Sequence, residues 1–168
     1  MKAADVVVIG AGIVGSATAY YLAKAGVDVT LIDRRVPVAS GTASQASAGG
    51  VRQQGRVPVE IPLAIYSINL WTNLEAELEA DMDYRRDGMT VVTDNEALIP
   101  VLSDRVAQEQ SLGLDIKLVQ GSELHDRIPG LSPRMLAGSY CPTDGHADPM
   151  RTINAFVVAA QRLGVKMR

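Results

Sequence analysis

The chain has 168 residues, 47% apolar and 21% charged, a globular composition with length for one domain or a little more. Its 16 basic and 19 acidic residues give a formal charge of −3, too small and too evenly mixed for a nucleic-acid surface. One cysteine excludes an internal disulfide framework and a cysteine-rich zinc site. No apolar run is long enough to cross a bilayer, and no small-residue cleavage site follows a long apolar core near the N-terminus. The expectation is a cytoplasmic protein without a transmembrane segment.

Asp5 to Ile9 is a β-branched run that reads as a strand buried on both faces. Gly10-Ala11-Gly12-Ile13-Val14-Gly15 follows directly. Ser16 to Ala25 supplies helix formers, Gly26 ends the helix, and Val29 to Ile32 is a second strand closed by Asp33. Strand, glycine turn, helix, strand and acid in this order are what a dinucleotide-binding βαβ unit requires. Gly10 lets the chain turn off the strand. Gly12 lets a pyrophosphate reach unpaired amides at the positive end of the helix dipole. Gly15 allows close packing of helix on strand, which Ala19 continues one turn later. Asp33 stands where a carboxylate accepts hydrogen bonds from ribose hydroxyls and repels a 2′-phosphate, which disfavours NADP. The unit by itself does not separate NAD from FAD.

Residues 40–52, SGTASQASAGGVR, are small and polar. Such composition suits a flexible linker. It also suits a loop passing close to a large flat ligand, with Thr42, Ser44 and Ser47 able to donate to phosphate oxygens. The lack of charge before Arg52, and the position directly after the ribose-binding acid, favour ligand contact. In this segment and the preceding unit the sequence resembles the FAD-dependent amine and amino-acid oxidoreductases, the D-amino-acid oxidase-like family. That family includes sarcosine oxidase, glycine oxidase and D-amino-acid dehydrogenases. The resemblance runs through DVVVIGAGIVGSATAYYLAKAGVDVTLIDRR, ASGTASQASAGGVRQQG and DGHADP, in order, over essentially the whole chain. It implies FAD as cofactor. It places Ala43, Ser44, Ala48, Gly49, Gly50 and Val51 along that cofactor and Arg52 near the isoalloxazine ring, where a cation stabilises an anionic reduced flavin. With Thr42, the expected cofactor-binding set is completed by Gly10, Gly12, Ile13, Val14, Gly15, Asp33 and Arg34.

Ile61, Ala64, Ile65, Ile68, Trp71, Leu74 and Leu78 mark one apolar stripe of a helix from about 58 to 80, with Trp71 in the core. Glu75, Glu77, Glu79 and Asp81 read as a solvated face. Asp87-Gly88 is a turn and Met89 to Thr93 a strand. Asp94 or Asn95 caps a helix from Glu96 to Leu112 that Gly113 ends. Ile116 to Val119 and Met135 to Cys141 read as strands, with a short helix opened by Ser122 and stopped by Pro129-Gly130 between them. His125 on that helix reads as exposed and Cys141 as a small buried apolar residue. His146 beside Asp148 suggests a catalytic or metal pair, but Asp148-Pro149 is a helix start, so a turn with a cap is the better reading. Ile153, Phe156, Val157 and Ala160 give that helix an apolar face. Gly164 ends it, and Val165 to Met167 begins a strand. No catalytic triad, HExxH helix or paired metal-ligand spacing occurs, so no catalytic residue and no metal site are assigned.

The expected fold is α/β: an incomplete Rossmann-like FAD-binding domain, residues 1–80 and 145–168, with an inserted α+β substrate-side region, residues 81–144. The resemblance implies an enzyme oxidising a C–N bond of an amine or amino acid. The alternatives are another flavin- or NAD-linked oxidoreductase, or a non-catalytic cofactor-binding or assembly module. It also implies that the family's chain continues beyond this length. The sequence is therefore expected to be an N-terminal fragment, a cleaved piece or one part of a split enzyme, with a further C-terminal polypeptide as candidate partner.

Overall fold

A computed structural model describes residues 4–34, 41 and 43–168. Thr42, in the expected cofactor set, lies outside them. The described chain forms two units by its internal contacts. One holds the described residues up to 50 with 73–84 and 146–168, and the other holds 51–72 and 85–145.

In the first unit, β1 (Val6–Ile9), α1 (Ile13–Lys24) and β2 (Val29–Ile32) form a parallel βαβ, with Val6 opposite Val29 and Ile9 opposite Ile32. Later in the chain, α5 (Pro149–Arg162) leads into β8 (Lys166–Met167), which pairs parallel to β2. The sheet order β1-β2-β8 is that of one half of a doubly wound sheet. Helices α1 and α5 pack on each other. Tyr20 and Phe156 meet edge-on between them, with ring centroids 5.7 Å apart. The apolar face expected on α5 is buried, with Ile153 and Ala160 fully enclosed.

The expectation that the first strand is buried on both faces is corrected. Val6 and Val8 are half-buried, but Val7 is 53% and Ile9 84% exposed. Val8 lies on the α1 side, close to Gly15. Val7 and Ile9 point the opposite way, because alternate side chains leave a strand on opposite faces.

The second unit centres on an antiparallel sheet, β4 (Met89–Thr93), β6 (Ala137–Cys141) and β5 (Lys117–Gln120), in the order β4-β6-β5. Thr90 stands opposite Tyr140, and Lys117 meets the same tyrosine from the other side. A short 3₁₀ turn, capped as expected by Asn95 Oδ1 on the Ala97 amide, opens α3 (Ile99–Ser111). Val106, Leu114, Ile116, Cys141 and Ile61 make a common core in this unit. Helix α4 (Gly121–Arg127) follows β5, and the Arg127 guanidinium lies 3.9 Å from the Tyr140 ring centroid. His125 is half-buried rather than exposed.

Helix α2 (Ile61–Leu78) continues a 3₁₀ turn at Pro58–Glu60. The expected stripe faces inward: Ile61, Ile68, Leu74 and Leu78 are buried, and Ala64, Ile65 and Trp71 half-buried. The acidic residues near its end are not simply solvated. Glu77 accepts from the Tyr20 hydroxyl and from Lys24, Glu75 from the Met82 and Tyr84 amides, and Asp81 and Glu79 from Arg151 and Arg162. Two-residue strands β3 (Gly50–Val51) and β7 (Gly145–His146) pair with each other, so His146 stands in a strand rather than a turn. Among the described residues, no helix is long and apolar enough to cross a membrane.

Candidate functional site

The glycine turn of the first unit is assembled from β1, the head of α1 and the end of β2. Gly10 leaves β1 with φ +96°, which a side chain would strain, and its amide donates to the Ile32 carbonyl at 2.7 Å. A Cβ on Gly15 would lie 1.8 Å from the Gly10 carbonyl oxygen and 3.4 Å from Val8. This glycine is therefore required so that α1 can lie against the turn and the strand. Gly12 differs. Among the described residues its nearest potential Cβ contact is Ser44 Oγ at 3.5 Å, an ordinary separation. Packing against the described residues does not demand a glycine there, so among them the missing side chain leaves room beside the helix head.

Gly12 is also the N-cap of α1, with no side-chain cap and no acidic residue in the first turn. The Ile13 amide donates to Ser44 Oγ at 3.3 Å. Among the described residues, the amides of Gly12 and Val14 meet no acceptor. Unpaired amides at the positive end of a 12-residue helix, with space in front of them, form an anion cradle.

Asp33 is half-buried at the end of β2, and its Oδ2 accepts from the Ala11 amide at 2.7 Å. The carboxylate is thus held against the glycine turn. Sequence reasoning assigned it a ribose but missed this internal bond, which depends on how closely β2 ends beside the turn. Ile9, Gly10, Ile32, Asp33 and Arg34 line a cavity of about 280 Å³ at the carboxyl ends of β1 and β2. That is the usual place for a nucleotide in an open α/β sheet.

Of the second glycine cluster, Ser44 is brought to the helix head. The loop is knit internally. Ser47 N–H donates to the Ser44 carbonyl at 3.2 Å, Gly49 N–H to Ser47 Oγ at 3.2 Å, and Gly41 N–H to Gln45 Oε1. Ala43, Ala48 and Gly50 are exposed and Val51 is half-buried. Gly49 has a structural reason of its own. It sits at φ +72°, a Cβ on it would fall 2.1 Å from the Ala147 carbonyl oxygen, and its own carbonyl accepts from the Ala147 amide at 2.9 Å. Arg52 is exposed and belongs to the second unit, where its Nη1 lies 3.2 Å from the place a Cβ on Gly55 would take.

The DGHADP segment behaves as a cap and more. Asp148 Oδ1 accepts from the Met150 and Arg151 amides, both at 2.8 Å. Asp144, which sequence reasoning passed over, is completely buried. No group of three or more metal-ligating side chains occurs among the described residues. Cys141 is buried, and burial pushes its thiol up to about 11.

The profile of the FAD dependent oxidoreductase family matches residues 5–168. The chain belongs to that family. Dimethylglycine dehydrogenase of Rattus norvegicus mitochondria is 27% identical over 98% of this chain and 19% of its own length. Monomeric sarcosine oxidase of Bacillus sp. (strain B-0618) is 29% identical over 97% and 42%. Among solved structures, L-proline dehydrogenase from P. horikoshii superposes with a TM-score of 0.89 at 29% identity, covering 99% of this chain and 44% of that one. The chain thus spans less than half the length of these relatives. The cofactor of the family is FAD, and the cradle above fits a pyrophosphate: among the described residues there is open space at Gly12, the Gly12 and Val14 amides meet no acceptor, and the first turn of α1 has no acidic residue.

Proposed function

We propose that the protein containing this chain oxidises a C–N bond of a small amine or amino acid, of the glycine, sarcosine, proline or D-amino-acid type. The observation that carries the cofactor side is the Gly12 position, open among the described residues, before amides that meet no acceptor there. The substrate class is supported by relatives named for dimethylglycine, sarcosine and proline.

In this reading Gly12, Ile13, Val14 and Ser44 hold the pyrophosphate, with Gly10 and Gly15 shaping the turn that presents them. Asp33 and Arg34 hold the adenosine ribose. The segment from Ala43 through Ala48, Gly49, Gly50 and Val51 follows the cofactor, and Arg52 stands at the flavin. Bound FAD supplies the two-electron acceptor for a hydride from the substrate carbon, leaving an imine that water hydrolyses to a carbonyl compound and an amine. The helix head neutralises phosphate charge, the Asp33 carboxylate selects the 2′-hydroxyl over a 2′-phosphate, and the Arg52 cation favours the reduced state. Residues 1–80 and 145–168 serve the cofactor, and 81–144 the substrate side.

Hydride transfer needs the donor carbon held in line with the acceptor by a pocket wall. We assign that wall to polypeptide corresponding to the part of the relatives that this chain does not span. The 168 residues alone, supplied with FAD, are accordingly expected to show no turnover.

The test is anaerobic mixing of the FAD-loaded protein with sarcosine, dimethylglycine, glycine, proline and a panel of D-amino acids. Bleaching of the oxidised flavin band by at least one of them supports the reading. A flavin that none of them reduces, yet dithionite does, contradicts it.

A further inference from the structure

Arg52 is followed by three residues whose main-chain amides are all held by buried carboxylates. Gln53 N–H donates to Asp144 Oδ1 at 2.7 Å, and Gln54 N–H to Asp144 Oδ2 at 3.5 Å. Gly55 N–H donates to Glu109 Oε1 at 2.9 Å. Asp144 is 0% and Glu109 1% exposed. They come from separate places, the turn between β6 and β7 and the last turns of α3. Both glutamine side chains are buried as well. Gln53 Nε2 donates to Thr143 Oγ1 at 2.7 Å and to Asp144 Oδ1 at 3.2 Å. Gln54 Nε2 donates to the Met89 carbonyl at 2.8 Å, and its Oε1 accepts from the Ser139 hydroxyl at 2.8 Å.

Three successive amides make a natural anion-binding concavity. Here two of the chain's own carboxylates fill it. Neither is in an ion pair among the described residues, and Glu109 Oε2 is buried with no hydrogen-bond partner there. Burying charge in this way is costly, and an apolar contact would serve the core better. What the carboxylates achieve is specific: the backbone at 53–55 is fixed, while the adjacent Arg52 side chain stays exposed.

We propose that Asp144 and Glu109 are positioning residues that fix the direction of the Arg52 guanidinium. The proposal rests on the reading that Arg52 stands at the flavin. Direct electrostatics and positioning have opposite signs. Neutralising a nearby carboxylate favours the reduced, anionic flavin and raises its midpoint potential. Releasing Arg52 withdraws a cation and lowers it.

The experiment compares the FAD-loaded parent with Asp144→Asn, Arg52→Gln and the double variant, reading midpoint potential and amide hydrogen exchange at 53–55. Arg52→Gln is expected to lower the potential without changing exchange. Asp144→Asn is expected to speed exchange at least tenfold and to lower the potential, and the double variant to go no lower than Arg52→Gln. Glu109→Leu removes the other acceptor, should give both changes, and serves if Asp144→Asn loses FAD. A potential that rises or stays put in Asp144→Asn while Arg52→Gln lowers it overturns the positioning role. So does an Asp144→Asn shift that adds to that of Arg52→Gln. An Arg52→Gln potential equal to the parent's removes Arg52 from the flavin, and the positioning role falls with it.

Discussion

Asp33 holds the glycine turn, and the proposed function gives it the ribose as well. Its Oδ2 holds the Ala11 amide at 2.7 Å, so it orders the glycine turn before any ribose is bound. Replacing Asp33 by Ala should weaken FAD binding by about 1.5–3 kcal/mol, the worth of hydrogen bonds to a charged group. An unchanged dissociation constant from fluorescence titration would remove it from the site. Gly49 tests the second glycine cluster. With φ +72° and the Ala147 carbonyl 2.1 Å from a would-be Cβ, Gly49→Ala should destabilise the fold by about 1–3 kcal/mol. Denaturant unfolding of that variant reads the loss, and a midpoint equal to the parent's would contradict the packing described. The turn at Gly10 and the close packing at Gly15 were legible from spacing, because each backbone demand is local; the Asp33 bond to Ala11, 22 residues earlier, was not. Asp144 was not. Its role depends on amides 90 and 91 residues earlier, and nothing in an Asp-Gly pair signals which amides will be brought to it.

At the scale of elements, Asp148-Pro149 was readable because an N-cap and a first-turn proline act on their own helix. Asp148→Ala should cost about 1 kcal/mol, within the ~0.5–2 kcal/mol range of such caps. Loss of the bonds to Met150 and Arg151 should appear as a lower melting temperature, and an unchanged one would refute the cap. Helix α2 shows the limit of periodicity. Its apolar stripe was legible, yet its acidic residues looked solvated. Glu77 instead joins α1 through Tyr20 and Lys24. The hydrogen bond from the Lys24 ammonium holds the Glu77 carboxyl below its ordinary value of 4.5; burial opposes this, and the Tyr20 hydroxyl adds to it. A depressed carboxylate contributes stability above its unfolded pKa and loses it as pH falls through the folded one. Melting temperature should therefore drop between pH 7 and pH 3 by more in the parent than in Glu77→Gln. Equal drops would show the contact to be worth nothing, as many exposed pairs are.

For the whole molecule, the order β1-β2-β8 returns the chain to its first sheet after more than a hundred residues. The intervening α+β segment was expected as an insertion over 81–144 on the strength of the family resemblance; by its contacts the second unit also takes in residues 51–72. The exposure of Val7 and Ile9 was not foreseen. A β-branched run says that a strand forms, but how many of its faces are covered depends on elements elsewhere. The central claim is that the head of α1, opened by Gly12, is the pyrophosphate cradle. It is tested most directly by FAD titration of the parent and of Gly12→Val, with circular dichroism of both. The expected result is a loss of affinity of about 100-fold or more, equivalent to ~2.7 kcal/mol, with the helical signal kept. A Gly12→Val protein that still purifies yellow, with parental FAD affinity, would contradict it.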